Sequence, residues 1–520
     1  MYAYTAIGAF FGYALLLLAI AAWTQNRRAP HRKSRSTSME DASGNANFFL
    51  AGRNNAWYLV AFGMIGASLS GVTFMSIPGW VKDDSWSYLQ MVLGYLAGYA
   101  FIMAVLMPLY YRMQLTSIYG YFAERFGPRA HQTGAWLFIV SRLVGSSLRL
   151  YLVAMVLDLF VLRPLGWDLR EELGEVLGQT LHIALLSALI LLIIYAYTRR
   201  GGLSTVVWTD AFQTAAMLVA VVWAGLAIGD AMGIPWTELP GRIAASDLST
   251  VWVWDDWRAP NHAVKQFIAG AFIAIAMTGM DQDMMQKNLS CRSLKEARWN
   301  MGSFTIVLIG VNILFLGLGT LMWMYADLHG ITVERSDALF PTLALQGGLG
   351  VGIGIVFLLG LMAAAFSSAD SALTALTTSA CVDIWRTEER PPEVARKIRK
   401  RLHLAFSLLT LLVMTGFGAL SDARVVSTIF QVAGYTYGPL LGLFFFGLFT
   451  RRVASDAAIP PLSILSPVLC FGLQWAMQTY GGFGLGFALL PVNGAIMMLG
   501  LFLFSKAPGV APPATHPLSA

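Results

Sequence analysis

The stretch Gly63-Met64-Ile65-Gly66-Ala67-Ser68-Leu69-Ser70-Gly71-Val72-Thr73-Phe74-Met75-Ser76-Ile77-Pro78-Gly79 sits inside an apolar run at residues 55–80. It packs glycines, serines, a threonine and a Pro-Gly step into what should be one helix. A polar group inside a membrane span is costly and needs a partner or a task. A lipid-facing helix gains nothing from this mixture. A helix that unwinds in mid-membrane does: its freed carbonyls ligate a cation and its hydroxyls meet a solute. Close packing of small residues against a neighbouring helix is the alternative reading.

Working outward, similar apolar runs recur at about 3–24, 88–111, 131–162, 176–198, 203–229, 264–287, 301–327, 349–383, 403–420, 426–449, 456–478 and 484–504, which makes 13 with the first. They are long and continuous, as spanning helices are, rather than alternating segments of barrel-strand length. The 520 residues are 57% hydrophobic and only 12% charged. Soluble domains carry about a quarter charged residues, and disorder needs high charge with low hydrophobicity, so both classes are excluded. The expected fold class is an all-α polytopic membrane protein.

The charge is +6, but the cations lie in short loops between apolar runs, where the positive-inside rule accounts for them. With the N-terminus outside, 25 of the 35 Lys and Arg fall in cytoplasmic loops, Lys287 among them, and 8 on the opposite side. Arg142 and Arg149 lie within a span. The topology expected is N-terminus outside and C-terminus inside, with no nucleic-acid partner. The first run has its basic cluster after it rather than before, which favours a retained helix over a cleaved leader. The outer segment 230–263 carries Trp236, Trp252, Trp254 and Trp257; it reads as an interfacial aromatic belt or as an outer lid.

Three further polar places stand out inside spans. In Ser367-Ser368-Ala369-Asp370-Ser371, the residues Ser367, Asp370 and Ser371 have i, i+3, i+4 spacing and share a helix face. Hydroxyls with a carboxylate form an oxygen-only donor set suited to a hard cation, unless they serve interhelical hydrogen bonding. Asp210 lies about two turns into its span, too deep for the headgroups, as a cation ligand or counter-charge. Arg142 and Arg149 either hold a solute anion or neutralise Asp210 or Asp370. The 3 cysteines have no metal-ligand spacing, and the 7 histidines show no two-histidine metal motif. Phosphate-loop and nucleophile-elbow signatures are missing. No enzymatic activity and no cofactor is expected.

At this point several stretches become recognisable together. They are Phe48-Phe49-Leu50-Ala51-Gly52-Arg53, Leu115-Thr116-Ser117-Ile118-Tyr119 leading to Glu124-Arg125-Phe126-Gly127, and Gly201-Gly202 leading to Trp208-Thr209-Asp210. Further on come Asp281-Gln282-Asp283-Met284-Met285-Gln286 with Ser293-Leu294-Lys295-Glu296-Ala297, Ser367-Ser368, and Gly438-Pro439-Leu440-Leu441-Gly442 ending in Thr450-Arg451-Arg452. In number and order they resemble the sodium:solute symporter family, which includes sodium/glucose, sodium/proline and sodium/sialic acid cotransporters.

The resemblance implies a leucine-transporter-type fold of two inverted five-helix repeats. Here these would be 55–229 and 264–449, with an extra helix at 1–24, a basic cytoplasmic loop at 25–54, an outer loop at 230–263, two extra helices at 456–504 and a cytoplasmic tail at 505–520. It implies sodium as coupling ion, held by the carbonyls of Gly66, Leu69 and Ala364 and the hydroxyls of Ser367 and Ser368. A second sodium position would match Asp210, Ser367, Asp370 and Ser371. Asp370 stands where relatives carry Ser or Thr, which would strengthen cation binding or carry a proton. Solute-contacting positions map onto Ser68, Ser70 and Thr73, with Gln90, Arg142 and Gln431 as further candidates.

The expected function is sodium-coupled symport of a small organic solute, with sialic acid or another sugar derivative ranked first. Proton-coupled uptake of a monocarboxylate, vitamin or amino acid, or a passive channel or sensor on the same scaffold, is the alternative. The expected location is the plasma (bacterial inner) membrane, with the solute, sodium and the lipid bilayer as partners.

Overall fold

The structure, a computed structural model, describes residues 2–32, 48–420 and 425–507. Half of the expected basic loop and most of the expected tail lie outside these residues. Among the described residues, 11 helices are long and apolar enough to cross a bilayer, and two bent helix pairs bring the number to 13. All 13 coincide with the apolar runs read from the sequence. The chain is a multi-span integral membrane protein.

The principal helices are α1 (Tyr2–Arg32), α2 (Trp57–Ser68), α3 (Gly71–Asp84), α4 (Tyr88–Phe101), α5 (Pro128–Leu157), α6 (Glu175–Gly201), α7 (Leu203–Ala231), α8 (Ala263–Ala274), α9 (Gln282–Leu289), α10 (Leu294–Leu328), α11 (Val351–Ser379), α12 (Pro392–Leu420), α13 (Val425–Phe449), α14 (Ile459–Gly481) and α15 (Leu489–Leu503). Helix α11 is buried along almost its whole length from Phe357 onward, so it forms the axis around which the site is built. Its neighbours include α2, α3, α5 and α7.

Two spans are broken, and both breaks follow from local chemistry. Between α2 and α3, Leu69 and Ser70 are extended, with φ/ψ of −89°/100° and −88°/173°. The two pieces meet at 57°. This is the interruption expected from the Ser- and Gly-rich stretch. The second break is at Met280–Asp281, where a π-helical turn (Ile275–Gly279) ending α8 meets α9 at 65°. Asp281 caps α9, its carboxylate accepting from Met284 N at 3.1 Å. The sequence reading had treated 264–287 as one continuous span; an Asp in N-cap position is what divides it. The broken helices lead the two segments expected as inverted repeats, where transporters of this construction place their sites.

Close backbone approach locks α4 against α8. Glycines 94 and 270 face the partner backbone across the α4–α8 contact, Gly270 meeting Met91 and Gly94 meeting Phe267, where a β-carbon would collide with a carbonyl. Above them the Trp-rich loop is pinned to α4. Gln90 donates to Asn261 O at 3.0 Å and accepts from Val253 N at 3.3 Å, and Trp86 N donates to Thr250 O at 3.0 Å. Trp252 and Trp254 stack at 5.7 Å and all four tryptophans of this loop are exposed.

Candidate functional site

The first break lies directly against α11. A β-carbon on Gly66 would sit 3.2 Å from Ser367 Oγ, and Gly71 faces Leu361 and Ala365 in the same way. Gly66 N donates to Thr214 Oγ1 at 3.0 Å, which fixes α2 on α7. Among the described residues, no side chain donates to the carbonyls of Gly66 or Leu69. On α11, next to Ser367 in sequence, Ser368 Oγ is buried with no hydrogen-bond partner. A buried hydroxyl left unsatisfied costs about 1–3 kcal/mol, so it points to a ligand. Ser367 is committed differently: its hydroxyl donates to Asp210 Oδ1 at 2.6 Å. Its lone pairs remain available to an ion at the break. Of the expected sodium ligands, Gly66 and Ser367 thus meet across the α2–α11 contact, with the proton of Ser367 turned to Asp210.

The second group of candidates is arranged differently from its spacing. Ser367 and Ser371 both turn to Asp210, Ser371 Oγ donating to Asp210 Oδ2 at 3.1 Å. Asp370 does not join them. It flanks their stripe and takes Tyr197 OH at 2.9 Å and Thr209 Oγ1 at 3.2 Å on one oxygen, while Oδ1 is buried without a partner. The counter-charge to Asp210 is Lys287, whose ammonium lies 2.7 Å from Asp210 Oδ2 and 2.6 Å from Ser371 Oγ. Lys287 had been counted as a loop cation. It is 1% exposed in its side chain and belongs to the bundle core. Its removal from the loop count leaves 24 against 8.

Arg142 does not neutralise Asp210 or Asp370. It pairs with Asp283, and its other terminal nitrogen lies 3.7 Å from Asp281. Both acids sit at the start of α9, so Arg142 is charge-matched within the bundle while it also lines the cavity described below. Tyr437 also donates to Asp281. The carbonyls exposed by the second break are claimed internally: Tyr110 OH donates to Gly279 O at 3.0 Å and Tyr119 OH to Met280 O at 3.1 Å. Gln282 holds the 115–119 segment, accepting from Ile118 N at 2.9 Å and donating to Thr116 O at 3.0 Å.

A cavity of about 110 Å³ opens beside the first break. Ser68, Ser70 and Thr73 line it, as do Leu69 and Arg142 from the candidate set. Tyr88, Tyr95, Tyr99, Thr278, Asn312 and Arg149 complete its polar and aromatic wall. Ser76 Oγ and Asn312 Oδ1 are buried there without partners. Among the described residues no hydrogen bond or ion pair holds Arg149. Two candidates are not part of this wall. Gln90 is spent on the outer loop as described above. Gln431 is exposed on α13. Position in sequence had suggested both, and neighbouring chain segments decide otherwise. Lys287, Asp283, Thr278 and Asn312 are not among the site candidates read from the sequence, because nothing local to them marks their partners.

Comparison with known proteins places this geometry. A model of the sodium:solute symporter family matches residues 48–464. The human sodium/iodide cotransporter is 27% identical over 84% of this chain, which spans 65% of that protein's length. A sodium/sialic acid symporter of Aliivibrio fischeri is 23% identical, covering 79% of each chain. The substrate-bound, outward-open structure of a Na+-coupled sialic acid symporter superposes with a TM-score of 0.75 at 20% identity, over 97% of this chain and 99% of that one. The fold is thus the leucine-transporter type.

Proposed function

Since this chain belongs to the sodium:solute symporter family, a family of transporters and not of enzymes, we propose that it takes up a small acidic organic solute together with sodium by alternating access. The observation that carries this reading is the first break, where Gly66 lies against Ser367 of α11 and where Leu69 and Ser70 line a polar cavity. Sodium bound by Gly66, Leu69, Ala364, Ser367 and Ser368 would tie α2 to α11 and so favour one conformation over the other. Coupling requires that difference in affinity between states and nothing else. A membrane potential of 100 mV adds roughly 2.3 kcal/mol for each net charge carried.

The solute reading rests on the cavity wall. Arg149 has no counter-charge in contact, whereas Arg142 has two carboxylates, so the free cation favours an acidic solute. Ser68, Ser70, Thr73, Thr278 and Asn312 offer hydroxyl and amide partners to its polar part. Sialic acid or another acidic sugar derivative ranks first, in keeping with the sialic acid symporters among the relatives; iodide is also carried by a relative of that name. We place the protein in the plasma (bacterial inner) membrane, N-terminus outside, with the repeats at 55–229 and 264–449 and the Trp-rich loop as an outer lid. A proton-coupled carrier is the second reading, favoured by the buried, unpartnered Asp370 Oδ1. Melting the purified protein with a panel of acidic and neutral solutes, in sodium and in potassium at equal ionic strength, separates the readings, because a ligand bound to the folded state raises its melting temperature. A solute shift confined to sodium supports symport with sodium. An equal shift in both salts removes sodium as the coupling ion.

A further inference from the structure

Lys287 answers a question that the first cation site leaves open: how many ions this bundle holds. Its ammonium is ligated by Asp210 Oδ2 at 2.7 Å and Ser371 Oγ at 2.6 Å, with Asp283 Oδ1 at 3.9 Å. Asp210 spends its other oxygen on Ser367. One carboxylate and one hydroxyl, with a second carboxylate in reach, form the shell a monovalent cation would need in this place. All four groups are buried. A free ion added to the same oxygens would stand within a few ångströms of the ammonium, where two like charges in a buried site repel strongly. The tether matters as well. Lys287 sits one turn after Asp283 on α9, the helix that follows the second break, so the ammonium cannot leave unless α9 moves.

We propose that Lys287 is a built-in cation occupying the place of a second coupling ion, so that this chain binds a single sodium ion per cycle. This rests on the sodium-coupled reading above and adds a linkage to it. Arg142 on the cavity wall pairs with Asp283, Asp283 lies beside Lys287, Lys287 holds Asp210, and Asp210 holds the proton of Ser367 at the sodium site. A displacement of α9 thus reaches the ion through one continuous chain of charges and a hydroxyl.

The test counts ions directly: 22Na+ bound per purified protein at saturation, with potassium keeping ionic strength constant. The wild type is expected to bind one. Lys287→Met removes the ammonium while keeping the length of the side chain. It leaves Asp210 uncompensated, and the count should rise to two. Lys287→Arg, which retains a cation, should stay at one. If the Met variant is too unstable to purify, Lys287→Gln, which removes the charge but keeps a polar group beside Asp210, takes its place and is expected to bind two; one ion in that variant overturns the proposal in the same way. Two ions in the wild type, or one in a folded Lys287→Met protein, overturns the proposal. No specific sodium binding in the wild type overturns instead the sodium-coupled reading beneath it.

Discussion

The two broken helices bend by similar angles, 57° and 65°, and they solve the same backbone problem in opposite ways. At the second break the chain satisfies itself: Tyr110 and Tyr119 take the freed carbonyls, Asp281 caps the following helix, and Arg142 gathers Asp281 and Asp283. At the first break the carbonyls of Gly66 and Leu69 meet no side-chain donor among the described residues, and on α11 the hydroxyl of Ser368 is buried without a partner. One break is closed by the protein. The other, on the proposed reading, is completed by sodium. On that reading the scaffold has a rigid side and a responsive side, and only the responsive side depends on the ion.

The comparison breaks most readily at the rigid side. Asp283→Ala strips Arg142 of its closest partner and leaves a buried guanidinium with Asp281 alone, at 3.7 Å. Removing one member of a buried pair costs about 3–5 kcal/mol, so the variant should melt far below the wild type in sodium and potassium alike. The neutral pair Asp283→Asn with Arg142→Gln should recover much of that loss. A melting temperature in Asp283→Ala that recovers on adding sodium would mean that the second break too is completed by the ion.

The responsive side should behave the other way round. Ser367→Ala with Ser368→Ala removes both hydroxyls at the first break. Neither is needed to close the bundle without the ion, apart from the single hydrogen bond from Ser367 to Asp210, worth about 1 kcal/mol. Stability in potassium should fall only slightly, while stabilisation by sodium and sodium-driven uptake should disappear. Undiminished sodium-driven uptake in this double variant would sink the site assignment.

How far each side could be read from the chain alone follows the same division. The 13 spans needed only length and composition. The first break was legible because Ser68, Ser70 and Thr73 have no reason to lie in a lipid-facing helix, so local sequence carries the signal. The second break was not, since 264–287 reads as one continuous span and nothing local marks Asp281 as the cap that divides it. Lys287 was misread for the same reason. Its partner, Asp210, is 77 residues earlier, and no local pattern shows that the bundle brings them together. Asp370 failed more subtly. Its i+3 spacing from Ser367 places it on the flank of the stripe, where Tyr197 and Thr209 reach it first.

A smaller effect probes the cavity between the two sides. Arg149→Gln removes a cavity-lining cation that has no hydrogen bond or ion pair among the described residues, so the fold and its response to sodium should survive. Binding of an acidic solute should weaken by at least about tenfold, as for a lost charge-assisted hydrogen bond, while a neutral analogue of the same shape should bind as before. Equal affinity of the variant for both would assign the acidic group elsewhere in the cavity.

The smallest effect concerns Gln431, a candidate for solute contact by position. It is exposed on α13 and does not line the cavity. An exposed side chain away from caps and pairs contributes within about 0.5 kcal/mol to stability, so Gln431→Ala should leave both the melting temperature and solute affinity unchanged. The result is informative because α13 also carries Tyr437, which reaches Asp281 at the second break. If α13 swings toward the cavity during the cycle, Gln431 would enter the solute site only in that state, and its loss would slow uptake without altering equilibrium binding. Uptake and binding measured side by side on Gln431→Ala therefore distinguish a helix fixed with the rigid side from one that moves with the responsive one.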